Sequence, residues 1–285
     1  MTLQQPTISS LIALLLLGSG CSKNDNYSEY PSYQEGNVYI RAYQNGETSV
    51  PDFSTKTVIG GESLDKTDWC ELDQIMIYYK PAESAEPLSS QLFSFYRPYP
   101  DETLFSATMP AQPETNYTYY GAYPSPESID GTHVTYTLPA LQDGSYDMRN
   151  YDITDPNTYD SYKGNLDIMI ADPQTASALH NGETLGMNFH HQCHVLRIQV
   201  PTGRNQWGEN VQKLRIEFPT AVVGKMELDL TNPTAIPTLT EGSNTINVEL
   251  KEPLTESEED AANGCYVWVF ICPTTVNGTI RFTAY

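Results

Sequence analysis

Short segments that alternate apolar and polar residues follow one another along most of this chain, and they limit its fold more than any other feature. In KLRIEF, residues 213–218, Leu214, Ile216 and Phe218 point to one face of a strand, and the charged residues between them point to the other. Most of the 20 prolines and 18 glycines fall between such segments, where turns need them. The pattern predicts an all-β fold built of β-sandwiches.

The β-like segments form two series, which are separated by the turn-rich stretch HNGETLGMN at residues 180–188. We therefore predict an N-terminal β-sandwich over residues 37–185 and a C-terminal β-sandwich over residues 186–285. The first series consists of NVYIRAY, DQIMIYYK, LFSFY, TLFSATM, NYTYYGAY, HVTYTL and LDIMIA. The second series consists of HVLRIQV, KLRIEF, GKMELDL, TINVEL, CYVWVFIC and GTIRFTAY.

The N-terminal apolar run LIALLLL, residues 11–17, is much shorter than the ~20 apolar residues that a membrane-spanning helix needs. It has the length of the apolar core of a secretory signal, and the small residues GSG precede Cys21. This stretch resembles the lipobox of bacterial lipoproteins. We predict a signal peptide over residues 1–20, a lipidated Cys21 as first mature residue, and a flexible polar tether over residues 21–36. The alternative is a buried N-terminal helix with an ordinary cysteine.

The chain is strongly acidic, with 36 acidic residues against 15 basic ones and a formal net charge of −21. This charge excludes nucleic acid and an anionic membrane surface as partners, because both would repel it. Acyl chains on Cys21 would still hold the protein to outer-membrane lipid, since each buried methylene contributes ~0.8 kcal/mol.

Four further cysteines, Cys70, Cys193, Cys265 and Cys272, show no CxxC spacing that would indicate a metal site. Cys265 and Cys272 belong to one apolar run, and as strand residues they would lie ~23 Å apart on opposite faces. They cannot bridge each other. We expect free, buried cysteines that act as small apolar residues.

A metal centre is not expected at the histidine-rich segment HHQCH. This segment places His190, His191 and His194 close together in sequence. The residues that follow it alternate as in a strand, so His190 and His194 would lie ~13 Å apart, too far to bind the same ion. These histidines are better interpreted as strand residues at a domain boundary.

A calcium site and an enzyme active site are also not expected. The loop DITDPNTYDSYKGNLD offers Asp152, Asp155, Asn157, Asp160 and Asp167, but its spacing does not fit an EF-hand loop, and Asx turns explain the same residues. The chain contains no GxSxG, HExxH or phosphate-binding glycine loop. We predict a protein that is not an enzyme and uses no cofactor.

The chain contains 20 tyrosines, and exposed aromatic rings can bind sugars. A surface glycan-binding lipoprotein is therefore the alternative function. Against it, aromatic residues are favoured in strands in any case. Alternation in NYTYYGAY places Tyr117, Tyr119 and Tyr123 on one face and Tyr120 on the other, so some of these rings belong to a core.

A series of motifs resembles the fimbrillin-like proteins that build type V pili on Gram-negative gut and oral bacteria. In chain order the motifs are the lipobox, STKT at 54–57, WCELDQIMIY at 69–78, NYTYYGAYP at 116–124, LDIMIAD at 166–172 and FHHQCHVLRIQV at 189–200. The resemblance implies two tandem transthyretin-like β-sandwiches. It also implies a surface-exposed lipoprotein of the cell outer membrane or fimbrium that serves adhesion to host or bacterial surface ligands.

The resemblance further implies assembly by strand exchange. A trypsin-like protease would remove the lipidated segment together with the first strand, and a strand of a neighbouring pilus subunit would fill the groove. The cleavage position maps to Lys56 in STKT, and Arg41 in NVYIRAY is a second basic candidate inside a predicted strand. Stalk, tip and anchor roles remain open.

The last segment, NGTIRFTAY, places Ile280, Phe282 and Ala284 on one face of a strand. Relatives in the family run on through another strand, so residues 186–285 resemble a sandwich that is short of one strand. We expect this domain to be stabilised by an added β-strand, because unpaired buried amides cost ~1–3 kcal/mol each.

Overall fold

Every regular element in the described part of the chain is a β-strand, which confirms the predicted all-β class. The computed structural model describes residues 36–44, 69, 73–99, 102–144, 166–200, 211–254 and 265–285. All of them belong to one compact unit, residues 35–285. The predicted signal peptide (1–20), Cys21, most of the tether (21–36) and Lys56 lie outside the described residues.

In the described residues, the strands include all thirteen predicted segments and five more. They are β1 (Val38–Gln44), β2 (Gln74–Pro81), β3 (Ser89–Tyr99), β4 (Glu102–Ala107), β5 (Asn116–Tyr123), β6 (Ser128–Asp130), β7 (His133–Leu138), β8 (Leu141–Gln142), β9 (Met169–Ala171), β10 (Gln174–Ser177), β11 (Thr184–His191), β12 (His194–Val200), β13 (Val211–Glu217), β14 (Val223–Asp229), β15 (Thr238–Ser243), β16 (Thr245–Leu254), β17 (Cys265–Ile271) and β18 (Arg281–Ala284).

The largest sheet closes on itself. Its strands are hydrogen-bonded in the order β5–β2–β3–β4–β1–β11–β9, and β9 pairs back onto β5 through Ala122↔Ile170 and Tyr123↔Met169. Strand β10 pairs with the remaining part of the same edge of β5. Closure gives each of these strands two neighbours and removes the free edges of an open sheet. The tandem transthyretin-like sandwiches are therefore not confirmed, since the first part of the chain forms a barrel-like sheet.

One face of every strand of the closed sheet contributes to an apolar interior, and the buried ring of Trp69 packs within it. Trp69 precedes β2 and packs edge-to-face on Phe105, Tyr123 and Phe189, with ring centroids 5.1, 4.9 and 5.4 Å away. These three rings belong to β4, β5 and β11. Edge-to-face aromatic pairs add ~0.5–1.5 kcal/mol each beyond the area that they bury. Trp69 therefore joins three separate strands of the closed sheet.

A second core lies among three smaller sheets, with strand orders β12–β17, β18–β13–β16–β8 and β15–β14–β7–β6. Strands β7 and β8 precede residue 186 but pair with β14 and β16, which follow it. The predicted boundary between residues 185 and 186 itself falls inside β11, a strand of the closed sheet. Hydrogen-bonded sheets thus combine strands from the two predicted domains.

The two cores share a wall formed by β2 and β5. Alternation sends Tyr79 and Tyr119 into the interior of the closed sheet and sends Tyr78 and Tyr120 into the second core. All four rings are buried. A strand with two buried apolar faces removes more apolar surface from water on folding than a strand with one solvated face.

The buried side chain of Gln142 joins β8 to β17. Its Nε2 donates a hydrogen bond to the carbonyl of Phe270 at 2.9 Å, and its Oε1 accepts one from the backbone N–H of Phe270 at 2.8 Å. The backbone N–H of Trp268 donates to the carbonyl of Gly144 at 2.9 Å. The side-chain amide of Gln142 thus makes the two hydrogen bonds to the Phe270 backbone that the backbone of a neighbouring strand would otherwise make.

Two of the cysteines behave as the sequence predicts. Cys193 and Cys272 are free and buried, and burial raises the pKa of both thiols. Such thiols are poor nucleophiles and pack as small apolar groups.

Trp69 gives the first prediction. We expect Trp69→Ala to lower the free energy of unfolding by about 3–5 kcal/mol, because it removes a large side chain from a closed interior and leaves a cavity. Urea denaturation followed by circular dichroism measures the change. The control is Tyr285→Ala, since Tyr285 is 65% exposed and should change stability by no more than about 0.5 kcal/mol. Equal effects of the two variants would contradict the central packing role of Trp69.

Candidate functional site

Strand β1 is a central strand of the closed sheet and is hydrogen-bonded to a neighbouring strand along each of its edges. It runs antiparallel to β4, with Ile40 opposite Phe105, and parallel to β11, with Ile40 opposite Leu185. The only covalent connection from β1 to the later strands leads through residues 45–68, outside the described residues. One cut in that segment therefore removes the covalent link between β1 and the strands that follow it.

The two faces of β1 are both well packed. Val38, Ile40 and Ala42 point into the interior of the closed sheet, as the alternation predicts. On the opposite face, Tyr39 is fully buried and packs edge-to-face on Tyr96 at a centroid distance of 5.2 Å. The burial of apolar side chains and the two hydrogen-bond ladders hold β1 in place.

Trp69 contacts both of the strands that flank β1. Its ring packs on Phe105 of β4 and on Phe189 of β11. We define the β1 groove as the space that β1 occupies between β4 and β11, with Trp69 on its inner side. The sequence places Trp69 in a motif but does not reveal this contact, because the pairing of β4 and β11 with β1 is not visible in any single segment.

The candidate processing residues fall in different places. Arg41 lies in the middle of β1, opposite Leu104 on one side and Gly186 on the other, with a half-buried side chain. Proteases cut exposed, extended backbone, so Arg41 becomes accessible only if β1 leaves the sheet. Lys56 and Cys21 lie outside the described residues, and their roles stay predictions.

The three histidines of HHQCH have separate surroundings. His190 Nε2 lies 2.9 Å from Asp172 Oδ1, whereas His191 Nδ1 lies 2.6 Å from Asp167 Oδ1. His194 begins β12 and is exposed. Among the residues that the structure describes, no group of three or more His, Cys, Asp or Glu side chains could hold a metal ion.

Asp167 is one of the candidate calcium ligands in the sequence, but the structure buries it beside His191. The Asp167 side chain is only 3% exposed. Burial lowers the pKa of His191, but the charge of Asp167 and the hydrogen bond to it outweigh burial, so the pKa of His191 is raised above 6.5. The other candidate calcium ligands, residues 152–160, lie outside the described residues.

The His191–Asp167 pair gives a prediction on pH. Because the folded state raises the pKa of His191, the stability that this pair contributes is fully present below pH 6.5 and is lost as pH rises through the raised value. We expect the stability difference between the unmodified chain and His191→Gln to be largest at about pH 5.5 and to shrink at higher pH. Urea midpoints across the pH range measure it.

The control for this pH series is His194→Gln, whose side chain is exposed on the next strand. Its stability difference from the unmodified chain should be small at every pH. A His191→Gln difference that stays constant, or that grows as pH rises, would contradict the charged pair.

The tyrosines of NYTYYGAY do not form an exposed platform. Tyr117, Tyr119, Tyr120 and Tyr123 are all buried, and their rings divide between the two cores as the alternation predicts. The hydroxyl of Tyr123 donates a hydrogen bond to Asp73 Oδ1 at 2.6 Å inside the closed sheet. These rings therefore stabilise the fold and offer no surface on which a sugar could stack.

A second segment of the chain repeats the residue pattern of β1. Residues 38–43 read VYIRAY, and residues 280–285 read IRFTAY. Both place a large apolar residue at the first and third positions and end in Ala-Tyr. In the second segment, however, Phe282 is 55% exposed and Tyr285 is 65% exposed. Within the described residues, β18 pairs with β13 alone.

Comparisons with known proteins find only distant structural likenesses. No protein-family model and no curated protein sequence matches it. A solved structure of a candidate cell adhesion protein from Bacteroides ovatus covers 88% of this chain and 82% of its own, at 9% identity and a TM-score of 0.49. Another, from Bacteroides uniformis, covers 87% and 79%, at 13% identity and a TM-score of 0.47.

A third candidate cell adhesion protein, from Parabacteroides distasonis, covers 88% of this chain and 75% of its own, at 8% identity and a TM-score of 0.42. At these identities and scores the likenesses carry no argument about partner, location or activity. Among the described residues, no helix is long and apolar enough to cross a membrane.

Proposed function

We propose that the chain is a structural subunit of a fimbrillin-type (type V) pilus, a surface lipoprotein of the outer membrane that serves adhesion. It joins neighbouring subunits by protease-triggered strand exchange, and it has no catalytic role and uses no cofactor. The observation that carries the proposal is the position of β1. An N-terminal strand fills an inner position of a closed sheet, while one connection outside the described residues ties it to the rest.

Loss of β1 would leave an opening that only another strand can fill. The facing edges of β4 and β11 would lose their ladder partners, and each buried backbone group without a partner costs ~1–3 kcal/mol. The apolar sites of Val38 and Ile40 would be exposed at the same time. An extended segment with alternating apolar residues would pair with both backbone edges and would fill the apolar sites, which is the physical basis of strand addition.

Residues 280–285 of a second copy fit this description. Their first and third residues are apolar, like those of residues 38–43. Phe282 and Tyr285 are more than half exposed at the edge strand β18, whereas Ile280 and Ala284 pack partly against the second core. Movement of this segment into the β1 groove of a neighbouring copy would bury Phe282. The segment would then form backbone hydrogen bonds with two neighbouring strands instead of one. The gain in burial favours exchange between copies.

We expect one cut between β1 and β2 to convert the monomer into a polymer. The full chain is folded first, with residues 53–58 replaced by the recognition sequence of a specific protease, and is then cleaved. Light scattering and electron microscopy measure assembly. An excess of the peptide NVYIRAYQ, residues 37–44, should stop it by filling the groove.

The matched control carries the same protease sequence in the segment between β8 and β9, where a cut leaves β1 covalently linked to β2. This nicked chain should stay monomeric. If the chain cut between β1 and β2 also stays monomeric, and does not exchange its β1 for the added peptide, the strand-exchange proposal fails.

Membrane attachment is tested separately through Cys21. We expect Cys21→Ala to abolish incorporation of a labelled fatty acid and to leave an uncleaved or soluble precursor, because acylation needs the thiol. Cys193→Ala serves as the control, since Cys193 is buried inside the second core. Equal labelling of Cys21→Ala and the unmodified chain would refute the lipid anchor.

A further inference from the structure

Gly186 lies directly beneath an aromatic ring of β1. Cε2 of Tyr43 lies 3.2 Å from the point where a Cβ on residue 186 would stand. The backbone of Gly186 is not in the left-handed region, so its conformation does not call for glycine. Glycine inside a strand weakens it and usually marks a close approach of another group. The close approach here is the ring of Tyr43.

The ring reaches Gly186 from a defined register. Arg41 is the residue opposite Gly186, and Tyr43 lies opposite Asn188, so the Tyr43 ring lies over the residue that precedes its own partner by two. A slip of β1 by two residues would bring another side chain over Gly186. The position of the ring therefore depends on the register between the inserted strand and β11.

A second side chain of β1, that of Ala42 next to Tyr43, also has surroundings that depend on the register. Ala42 points into the closed sheet and lies opposite the buried residue Met187. The same slip would place Ile40 or Gln44 where the methyl group of Ala42 now lies. Extra volume in a packed interior costs ~1–3 kcal/mol, so this position favours a small residue.

We propose that Gly186 sets the register of the strand that occupies the β1 groove, by accepting an aromatic ring that directly follows a small inward residue. The partner is thus an extended segment with apolar residues at its first and third positions and a small-aromatic pair at its end. Residues 280–285 of a second copy meet this requirement, with Tyr285 in the place of Tyr43. The inference rests on the proposed function and names the feature by which a donor strand is recognised.

A double-mutant cycle tests the contact between ring and glycine. The acceptor is the folded full chain, nicked between β1 and β2, and the probe is fluorescent NVYIRAYQ, which replaces the resident β1. We expect the peptide change Tyr43→Ala to weaken binding about tenfold, because it removes the ring from its site. In an acceptor with Gly186→Val the resident β1 and the unmodified peptide lose the same ring contact, so exchange of the unmodified peptide should not change, and Tyr43→Ala should then cause little loss.

The matched control is the peptide change Tyr39→Ala. Tyr39 lies on the same face of β1 but packs on Tyr96, so its loss in affinity should be the same in both acceptors. Gly186→Ala is a milder second acceptor, because its Cβ at 3.2 Å needs only a small shift of the ring. It preserves the test if Gly186→Val does not fold.

The outcomes separate this inference from the function on which it rests. If NVYIRAYQ never replaces β1, strand exchange fails and the register proposal fails with it. If the peptide binds, but Tyr43→Ala binds equally well or loses the same factor in every acceptor, strand exchange stands and Gly186 does not set the register.

Discussion

Closure of the seven-stranded sheet around Trp69 is the constraint on which the rest of the molecule depends. Trp69 packs on rings of β4, β5 and β11, which are far apart in sequence, and the hydroxyl of Tyr123 is held by the buried carboxylate of Asp73. Because β9 pairs back onto β5, the sheet has no free edge at that point. The result is a closed sheet in which β1 has a hydrogen-bonded neighbour on each side.

The local pattern of the sequence was sufficient to predict thirteen strands and the faces that they bury, but it indicated a turn-rich boundary where β11 lies. In β13, Leu214 and Ile216 are buried while Lys213 and Arg215 are exposed, as the alternation of KLRIEF indicates. The burial of Tyr117, Tyr119 and Tyr123 follows from the same period of two. Such predictions succeed because the direction of a side chain in a strand depends on parity alone.

The pairing of distant strands could not be predicted from the sequence. Nothing in HVTYTL indicates that β7 pairs with β14, and nothing in LDIMIA indicates that β9 closes the sheet against β5. Both pairings join segments that are separated by dozens of residues, and many registers satisfy the same alternation. For the same reason the contacts of Trp69 and Gly186 could not be predicted from the segments that contain these residues.

The two ladders on β1 have a mechanical consequence. A tension along the axis of β1 acts on the hydrogen bonds to β4 and to β11 at the same time, because both ladders lie parallel to the load. Rupture in this shear geometry requires many bonds to break together, whereas peeling an edge strand such as β18 breaks them one after another. Any strand in the position of β1 would therefore resist drag along its length far better than a segment held at a sheet edge.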